Sequence, residues 1–452
     1  MKRNIHKGSI INVTVTKPVF EGRGLAFYEG KTIFVNRGLP GDEVEVKIMM
    51  KKKSSFYATI QSFKKTSPYR GLSHCDHFPE CGGCQYMDVS YPDQLAMKEA
   101  MLEDAIQQFF PEVKTVKQAI VPSKQHIYYR NKMEYSVTID QGRLIAGLKK
   151  RHTFDQIIEV PDCQLQSKDT QTIIQSIVHY LSEKQMTPWQ TQTRQGQIKQ
   201  IMIRHSKAND HFMVNLSVSQ KESQLEEELA LFMINACKKI ISFNIILDHQ
   251  EPGKPTTQTV IYSFGETHII EQLDKLNCYI SPLSFFQTNS EQATILYQTI
   301  QKVAQLKSTD RVLDLYCGTG TIGLFLAKQV KKIIGIEENP YAIEDAKNNC
   351  IKNEINNAEF RCGRVKNILK FETFDVDCVI VDPPRSGMVP KALRRLCELQ
   401  CKKIVYVSCH PITLLRDLKE IQTYGYKITT LIPVDMFPNT YHVECVVGLE
   451  LE

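Results

Sequence analysis

At 452 residues the chain has length for two to four domains of roughly 100–200 residues each, which excludes a lone small binding module. Hydrophobic residues make up 42% and charged residues 23%, with 22 Gly and 19 Pro, a globular composition that excludes a disordered or collagen-like chain. The net charge is +6, yet residues 1–65 alone hold 13 Lys and Arg against 5 Asp and Glu. A basic N-terminal module on a near-neutral body suits a polyanionic partner, because cations that neutralise phosphates release condensed counterions; a solvated basic face is the plainer alternative.

No apolar run reaches the ~18 residues of a membrane span, and the opening MKRNIHKGSIINV lacks the apolar stretch of a secretory signal. A cytoplasmic protein is expected, with no membrane association and no obligate protein partner. The 14 Cys then read as thiols, metal ligands or catalytic groups rather than as a disulfide framework.

Residues 8–63 alternate apolar and polar positions at Ile11, Val13 and Val15, at Ile33 and Val35, and at Val44, Val46 and Ile48, with turns at Gly22, Gly30 and Pro40-Gly41-Asp42. Several short strands in so few residues predict a small closed barrel of the OB type. Its GRGLA, IFVNRGLPGDEV and FYATI segments resemble a TRAM domain, which implies RNA binding. Lys51, Lys52 and Lys53 fall at a strand connection, where they contact phosphates or keep a sheet edge soluble.

From 68 to 280 the pattern mixes helices (91–109, 221–238) with strands (199–204, 212–217, joined at Ala208-Asn209-Asp210), an α/β body of open topology. The polar stretch 250–258 is a candidate boundary region, and a helix over 289–306 leads into the next unit. Residues 308–450 then alternate strand and helix, the pattern of a doubly wound parallel sheet. Its last two strands, 426–433 and 443–450, are close enough to form an antiparallel hairpin at the sheet edge, the ending found in class I methyltransferases. The expected architecture is therefore multi-domain α/β: an OB-like barrel over 1–65, a central α/β domain over 66–280 carrying a cysteine site, and a Rossmann-like domain over 281–452 whose ending resembles that of class I methyltransferases.

Three motifs carry chemistry. Val312-Leu313-Asp314-Leu315-Tyr316-Cys317-Gly318-Thr319-Gly320 is a buried strand entering a glycine turn and a helix, with Glu337 about 19 residues on to hydrogen-bond ribose hydroxyls; alone it admits NAD or S-adenosyl-L-methionine. Asp382-Pro383-Pro384-Arg385 ends another buried strand. Exocyclic-amine methyltransferases carry an aromatic residue after the two prolines, so Arg385 argues against amine methylation and leaves base-carbon chemistry open. Cys409 follows a third strand, in Tyr406-Val407-Ser408-Cys409-His410. An arbitrary Cys is inert core, but at a strand end beside the other two motifs it is a candidate nucleophile.

Carbon 5 of uracil is a poor nucleophile, and the chemical remedy is a thiolate that adds to carbon 6, followed by a base that removes the carbon 5 proton. Glu444, in His442-Val443-Glu444, is the candidate base. Through Phe286-Gln287-Thr288-Asn289, DLYCGTGTIGL, GIEENPYAIEDAKNN, VDPPRSG, YVSC and FPNTYHVE, essentially the whole chain resembles the RumA/TrmA family of RNA (uracil-5-)-methyltransferases. The resemblance implies S-adenosyl-L-methionine as methyl donor, Gln287, Tyr316, Glu337 and Asp382 at its site, Cys409 as nucleophile and Glu444 as proton-abstracting base, with Asp382 also near the uracil edge. Two positions depart from the commoner pattern: His410 stands where Asn or Asp is usual, and Asn439 where His is frequent.

Cys75, Cys81 and Cys84, with Cys163 far downstream in Pro161-Asp162-Cys163, supply four thiolates. Spacing alone admits structural zinc or an iron–sulfur cluster, and less readily a redox disulfide between Cys81 and Cys84. CGGCQ followed by P-D-C is similar to the [4Fe-4S] signature of the rRNA-methylating branch, which implies 23S rRNA as the RNA partner. The same chemistry on a tRNA loop uridine and a non-catalytic RNA-binding scaffold are the alternatives; an NAD dehydrogenase explains neither VDPPR nor YVSC. Tyr128-Tyr129-Arg130-Asn131-Lys132 sets aromatic and basic residues together, where they stack and pair with RNA or pack in a core.

Overall fold

A computed structural model describes residues 5–110, 116–153, 155–221, 226–249 and 257–452. At the N-terminus β1 (Ile10–Val19), β2 (Arg23–Tyr28), β3 (Lys31–Asn36), β4 (Glu43–Lys52) and β5 (Ser55–Lys65) close a barrel in the order β1-β2-β3-β5-β4. Val13, Val15, Ile33, Val35, Val44, Val46 and Ile48 point into it, as the period-2 alternation requires. Lys51 and Lys52 end β4, and Lys53 turns the chain at φ 54°, so the three lysines lie exposed at the hairpin tip.

The barrel is fastened to the body by Arg70, whose guanidinium reaches buried Asp42 at 2.7 Å and Asp88 at 2.6 Å. Helix α1 (Tyr91–Phe109) opens with Ser90 accepting from the Asp93 N–H and a proline in its first turn, a sound start signal. Leu102, Ala105 and Ile106 on its inner face pack on the C-terminal sheet, not on the central one.

The central sheet has the order β12-β11-β10-β9-β6-β7-β8, built from β6 (Lys132–Asp140), β7 (Arg143–Lys149), β8 (Ile157–Ile158), β9 (Ile198–Ser206), β10 (His211–Val218), β11 (Ile240–His249) and β12 (Thr257–Gly265). Its neighbours are antiparallel except β10 and β11, which are parallel and so need the crossover that α3 (Glu226–Ala236) provides. That helix and α2 (Asp169–Glu183) contribute Leu229, Met233, Ile173 and Ile177 to the sheet's core. The first residues of the helix expected over 221–238, and most of the boundary stretch 250–258, lie outside the described residues. The hairpin β13 (Ile269–Leu273) and β14 (Leu276–Ile280) packs with the C-terminal core.

The C-terminal sheet contains β15 (Arg311–Leu315), β16 (Lys332–Glu337), β17 (Ala358–Cys362), β18 (Cys378–Val381), β19 (Lys403–Ser408), β20 (Tyr426–Val434) and β21 (Glu444–Leu451) in the order β17-β16-β15-β18-β19-β21-β20. Helices α4 (Ser290–Ala304), α5 (Thr321–Leu326), α6 (Pro340–Lys352), α7 (Val365–Phe371), α8 (Pro390–Glu398) and α9 (Pro411–Gln422) connect and cover it. The strand order reverses about β15, and in such sheets ligands bind beyond the carboxyl ends of the strands at that reversal. Strand β21 is antiparallel to both β19 and β20, so its first residue sits at the edge where the parallel strands end. Among the described residues no helix is long and apolar enough to cross a membrane.

Candidate active site

The six positions singled out for catalysis and methyl-donor binding converge on that edge. Tyr316 follows β15, Glu337 ends β16, Asp382 follows β18, Cys409 follows β19 and Glu444 begins β21. Together with Gln287 they line one cavity of about 820 Å³. The turn after β15 is held open by left-handed backbone at Tyr316 (φ 63°) and Gly318 (φ 54°). No atom lies within 4 Å of the Cβ that Gly318 lacks, so bare backbone faces the cavity there. Glu337 is fixed by two backbone donors, the N–H of Gly318 at 3.2 Å and of Asn339 at 2.8 Å. Each oxygen keeps a lone pair for a vicinal diol.

Gln287 lies on a loop clamped by the central domain. Asn131 donates from Nδ2 to the Gln287 carbonyl at 2.9 Å and to Ser290 Oγ at 2.7 Å, and its N–H donates to the Thr288 carbonyl at 2.8 Å. The family-like stretch 128–132 thus divides its work: Tyr129 is core, its hydroxyl donating to the Pro438 carbonyl at 3.0 Å, Asn131 holds the Gln287 loop, and Arg130 lines the cavity.

The electrostatics centre on three acidic groups taken out of water, with the Arg385 guanidinium opposing the shifts of Glu444 and Cys409. Desolvation and then Asp382 push the Glu444 carboxyl up to about 8, against Arg385. Asp382 is pushed up to about 7 by desolvation. Burial, reinforced by Glu444 and Asp382 and opposed by Arg385, pushes the Cys409 thiol up to about 12. Such a site stores protons until a cation arrives, and charge near it then favours thiolate and carboxylate. His442 is held down to about 3 by burial and by Arg385, and is therefore a neutral imidazole 3.0 Å from the Arg385 guanidinium.

The loop between β20 and β21 delivers Glu444 and is braced from below. Lys98 donates to Asp435 at 2.6 Å and to the Phe437 carbonyl at 3.0 Å, and Asn289 donates to the Met436 carbonyl at 3.0 Å. Asn439, at φ 65°, exchanges hydrogen bonds with Gln94, its N–H donating to Oε1 at 2.7 Å and its Oδ1 accepting from Nε2 at 3.0 Å. Asn tolerates that left-handed backbone, as does His, so the departure keeps a residue type the turn accepts. His410 is the N-cap of α9, its ring accepting from the Thr413 N–H at 3.3 Å. Asn and Asp are the preferred caps, so the second departure conserves a cap.

Cys75, Cys81, Cys84 and Cys163 are free thiols gathered in one neighbourhood. Burial pushes Cys84 well up, with Cys163, Cys81 and Cys75 adding to it, and pushes Cys163 up to about 11. Among the described residues, however, no three His, Cys, Asp or Glu side chains stand at metal-coordinating separation. The surroundings still suit four thiolates. The Gly83 N–H donates to Cys81 Sγ at 3.4 Å, Arg130 faces Cys84 and Cys163, and Arg151 donates to the carbonyls of Cys81 and Cys84.

Residues 90–452 match the family described as tRNA (uracil-5-)-methyltransferase. The chain belongs to that family. Residues 6–60 match the TRAM domain. Proteins named as uncharacterized RNA methyltransferases are similar along nearly their whole length: one of Bacillus cereus is 33% identical, covering 99% of this chain and 98% of its own, and one of Bacteroides thetaiotaomicron is 33% identical, covering 95% and 99%. The crystal structure of Pyrococcus abyssi tRNA (uracil-54, C5)-methyltransferase in complex with S-adenosyl-L-homocysteine superposes with a TM-score of 0.78 at 29% identity, over 97% of this chain and 99% of that one. In this RNA (uracil-5-)-methyltransferase the sequence reading missed two wall groups. Phe285 is 63% exposed although it lines the cavity, an aromatic face open to a planar ligand; its only sequence signal is the Phe-Phe pair before Gln287. The Arg385–His442 contact joins residues 57 apart and has no local signature.

Proposed function

We propose that this enzyme methylates carbon 5 of a uridine in 23S rRNA through a covalent bond between Cys409 Sγ and carbon 6 of the base. The observation that carries the proposal is the convergence of Gln287, Tyr316, Glu337, Asp382, Cys409 and Glu444 on one cavity at the carboxyl ends of the strands. S-adenosyl-L-methionine supplies an electrophilic methyl group on a sulfonium, and the cavity's acidic groups fit that charge. Glu337 binds the ribose diol, while Tyr316 and Gln287 line the same site. Cys409 thiolate adds to carbon 6, carbon 5 takes the methyl group, Glu444 carboxylate accepts the carbon 5 proton, and the C6–S bond breaks to return the thiolate and the double bond. Asp382 holds the uracil edge, and Arg385 favours the thiolate. A uridine reaches Cys409 only when flipped from its stack.

Residues 1–65 serve as the RNA-binding barrel, 66–280 as the cysteine-bearing domain and 281–452 as the catalytic domain. Cys75, Cys81, Cys84 and Cys163 hold a [4Fe-4S] cluster, with zinc as the other occupant that four thiolates accept, and the group cross-links the ends of the 75–163 region. A second reading, the same chemistry on a tRNA loop uridine, is favoured by the tRNA enzyme of Pyrococcus abyssi, a solved structure that this chain matches along nearly its whole length. Methyl transfer from labelled S-adenosyl-L-methionine to unmodified 23S rRNA and to unmodified tRNA, with nuclease mapping of the labelled base, separates the two. Label at 5-methyluridine in rRNA supports the first reading and in tRNA the second; label in neither overturns both.

A further inference from the structure

Cys409 opens onto two cavities. The mechanism above occupies the larger; the second, of about 380 Å³, lies on the barrel side, walled by Phe20 and Glu21 from the β1–β2 turn and by Arg385, His410, Tyr441 and His442. The barrel turn comes this close because Gly22 has no Cβ: one would lie 2.8 Å from Gln85 and 3.1 Å from the Tyr441 ring. A uridine whose carbon 6 touches Cys409 is joined by one phosphodiester to its neighbour, and this second cavity is the space beside the nucleophile that can receive it.

His410 supplies the distinguishing chemistry. Its Nδ1 accepts from the Thr413 backbone N–H at 3.3 Å, and because a backbone N–H only donates, the proton sits on Nε2. Burial and Arg385 hold the imidazole below its ordinary range, which keeps it a neutral donor. Among the described residues Nε2 makes no hydrogen bond, although the ring lines the cavity. Asn or Asp at this position caps α9 equally well, but Asp has no donor and the Asn amide nitrogen ends one bond short of where Nε2 stands. What His410 adds to the cap is an N–H donor that reaches one bond further out beside the nucleophile.

We propose that the second cavity binds the ribonucleotide adjoining the target uridine, with Arg385 on its phosphate, and that His410 is a specificity-determining residue whose Nε2–H donates to a keto oxygen on that neighbour's base. The inference rests on the uracil-methylating reading. Held opposite the 6-position of a purine or the 4-position of a pyrimidine, a lone donor bonds guanine O6 or uracil O4 and meets in adenine or cytosine an amino group that cannot accept.

The test uses the full-length enzyme and whichever transcript, a 23S rRNA fragment or a tRNA, accepts label. That RNA is remade with each base in turn on either side of the mapped uridine. The wild type should favour keto over amino bases at one neighbour by about two- to tenfold in kcat/KM, the range of a single hydrogen bond. His410→Asn, which retains a cap, should flatten that preference through KM while its thermal midpoint holds; His410→Ala should flatten it and also lower the midpoint. A preference that survives in His410→Asn, or a wild type indifferent to both neighbours, overturns the assignment and leaves uracil methylation standing. Absence of 5-methyluridine from every RNA treated with wild type overturns the parent reading and this one with it.

Discussion

Replacing Lys98 by Met probes whether the loop ahead of Glu444 depends on the buried charge that braces it. Lys98 and Asp435 are both fully enclosed, 2.6 Å apart. Met keeps most of the stem's volume and removes the cation, stranding a carboxylate whose remaining donors are the Tyr91 hydroxyl at 2.9 Å and the Phe437 N–H at 3.3 Å. Breaking a buried pair from one side costs about 3–5 kcal/mol, and two surviving donors bring the expected loss to about 2–4 kcal/mol. That is a large share of the ~5–15 kcal/mol holding a domain folded. Urea unfolding followed by circular dichroism should show the loss as a lower midpoint at unchanged slope. Lys98→Met/Asp435→Leu should recover much of it, because the desolvation penalty leaves with the second charge. A single variant within ~1 kcal/mol of wild type, or a double variant no better than the single, would refute the reasoning.

Cys409→Ala should abolish methyl transfer while S-adenosyl-L-methionine binding, read by calorimetry, persists. Glu444→Gln should let the adduct form but not resolve, leaving a protein–RNA band that survives denaturing electrophoresis. The Glu444 carboxyl is pushed from 4.5 to about 8; between those values the folded chain keeps a proton that the unfolded chain has released, so stability falls as pH rises through the window. Glu444→Gln should therefore lose less stability than wild type across it, and kcat/KM of the wild type should climb toward an apparent pKa near 8 shared with Asp382. Protein purified without oxygen should show the visible absorbance of an iron–sulfur cluster; metal analysis finding zinc alone would reassign the four cysteines.

The parts legible in the sequence were those with strong periodicity or fixed spacing. The strands Arg311–Leu315 and Lys332–Glu337 fall where continuous apolar runs put them, since strands covered on both faces read that way. Strand β17 and helix α7 carry no readable period because little of either is buried: Phe360 in the one, Val365 and Leu369 in the other. The topology of the central sheet stayed open because β10 and β11 pair in parallel through a helix, a relation that hydrophobic pattern does not encode. At the site, each residue just beyond a strand end was readable from its motif. Phe285, the Arg385–His442 contact and the Lys98–Asp435 brace were not, since each depends on parts of the chain brought together only by folding. Physical chemistry explains the two unusual residues only after the backbone is known, as a cap at His410 and a left-handed turn at Asn439.

The antiparallel course of β21 carries a constraint on length. Glu444 sits opposite Val434 and its neighbour Cys445 opposite Ser408; Cys445 belongs to the core beneath the sheet, while Glu444 faces the cavity. Successive residues of a strand alternate between faces. Deleting one residue from the stretch after Cys445 therefore presents a choice with no good outcome. If the apolar residues keep their places, the Glu444 carboxyl is carried into the core and Val443 takes its position. If Glu444 keeps its place, Val447 and Leu449 are turned to the opposite face, into the core that Val446 fills. Removing two adjacent residues preserves the parity at the cost of two residues' pairing with β19 and β20, so paired deletions in this strand should be milder for activity than single ones.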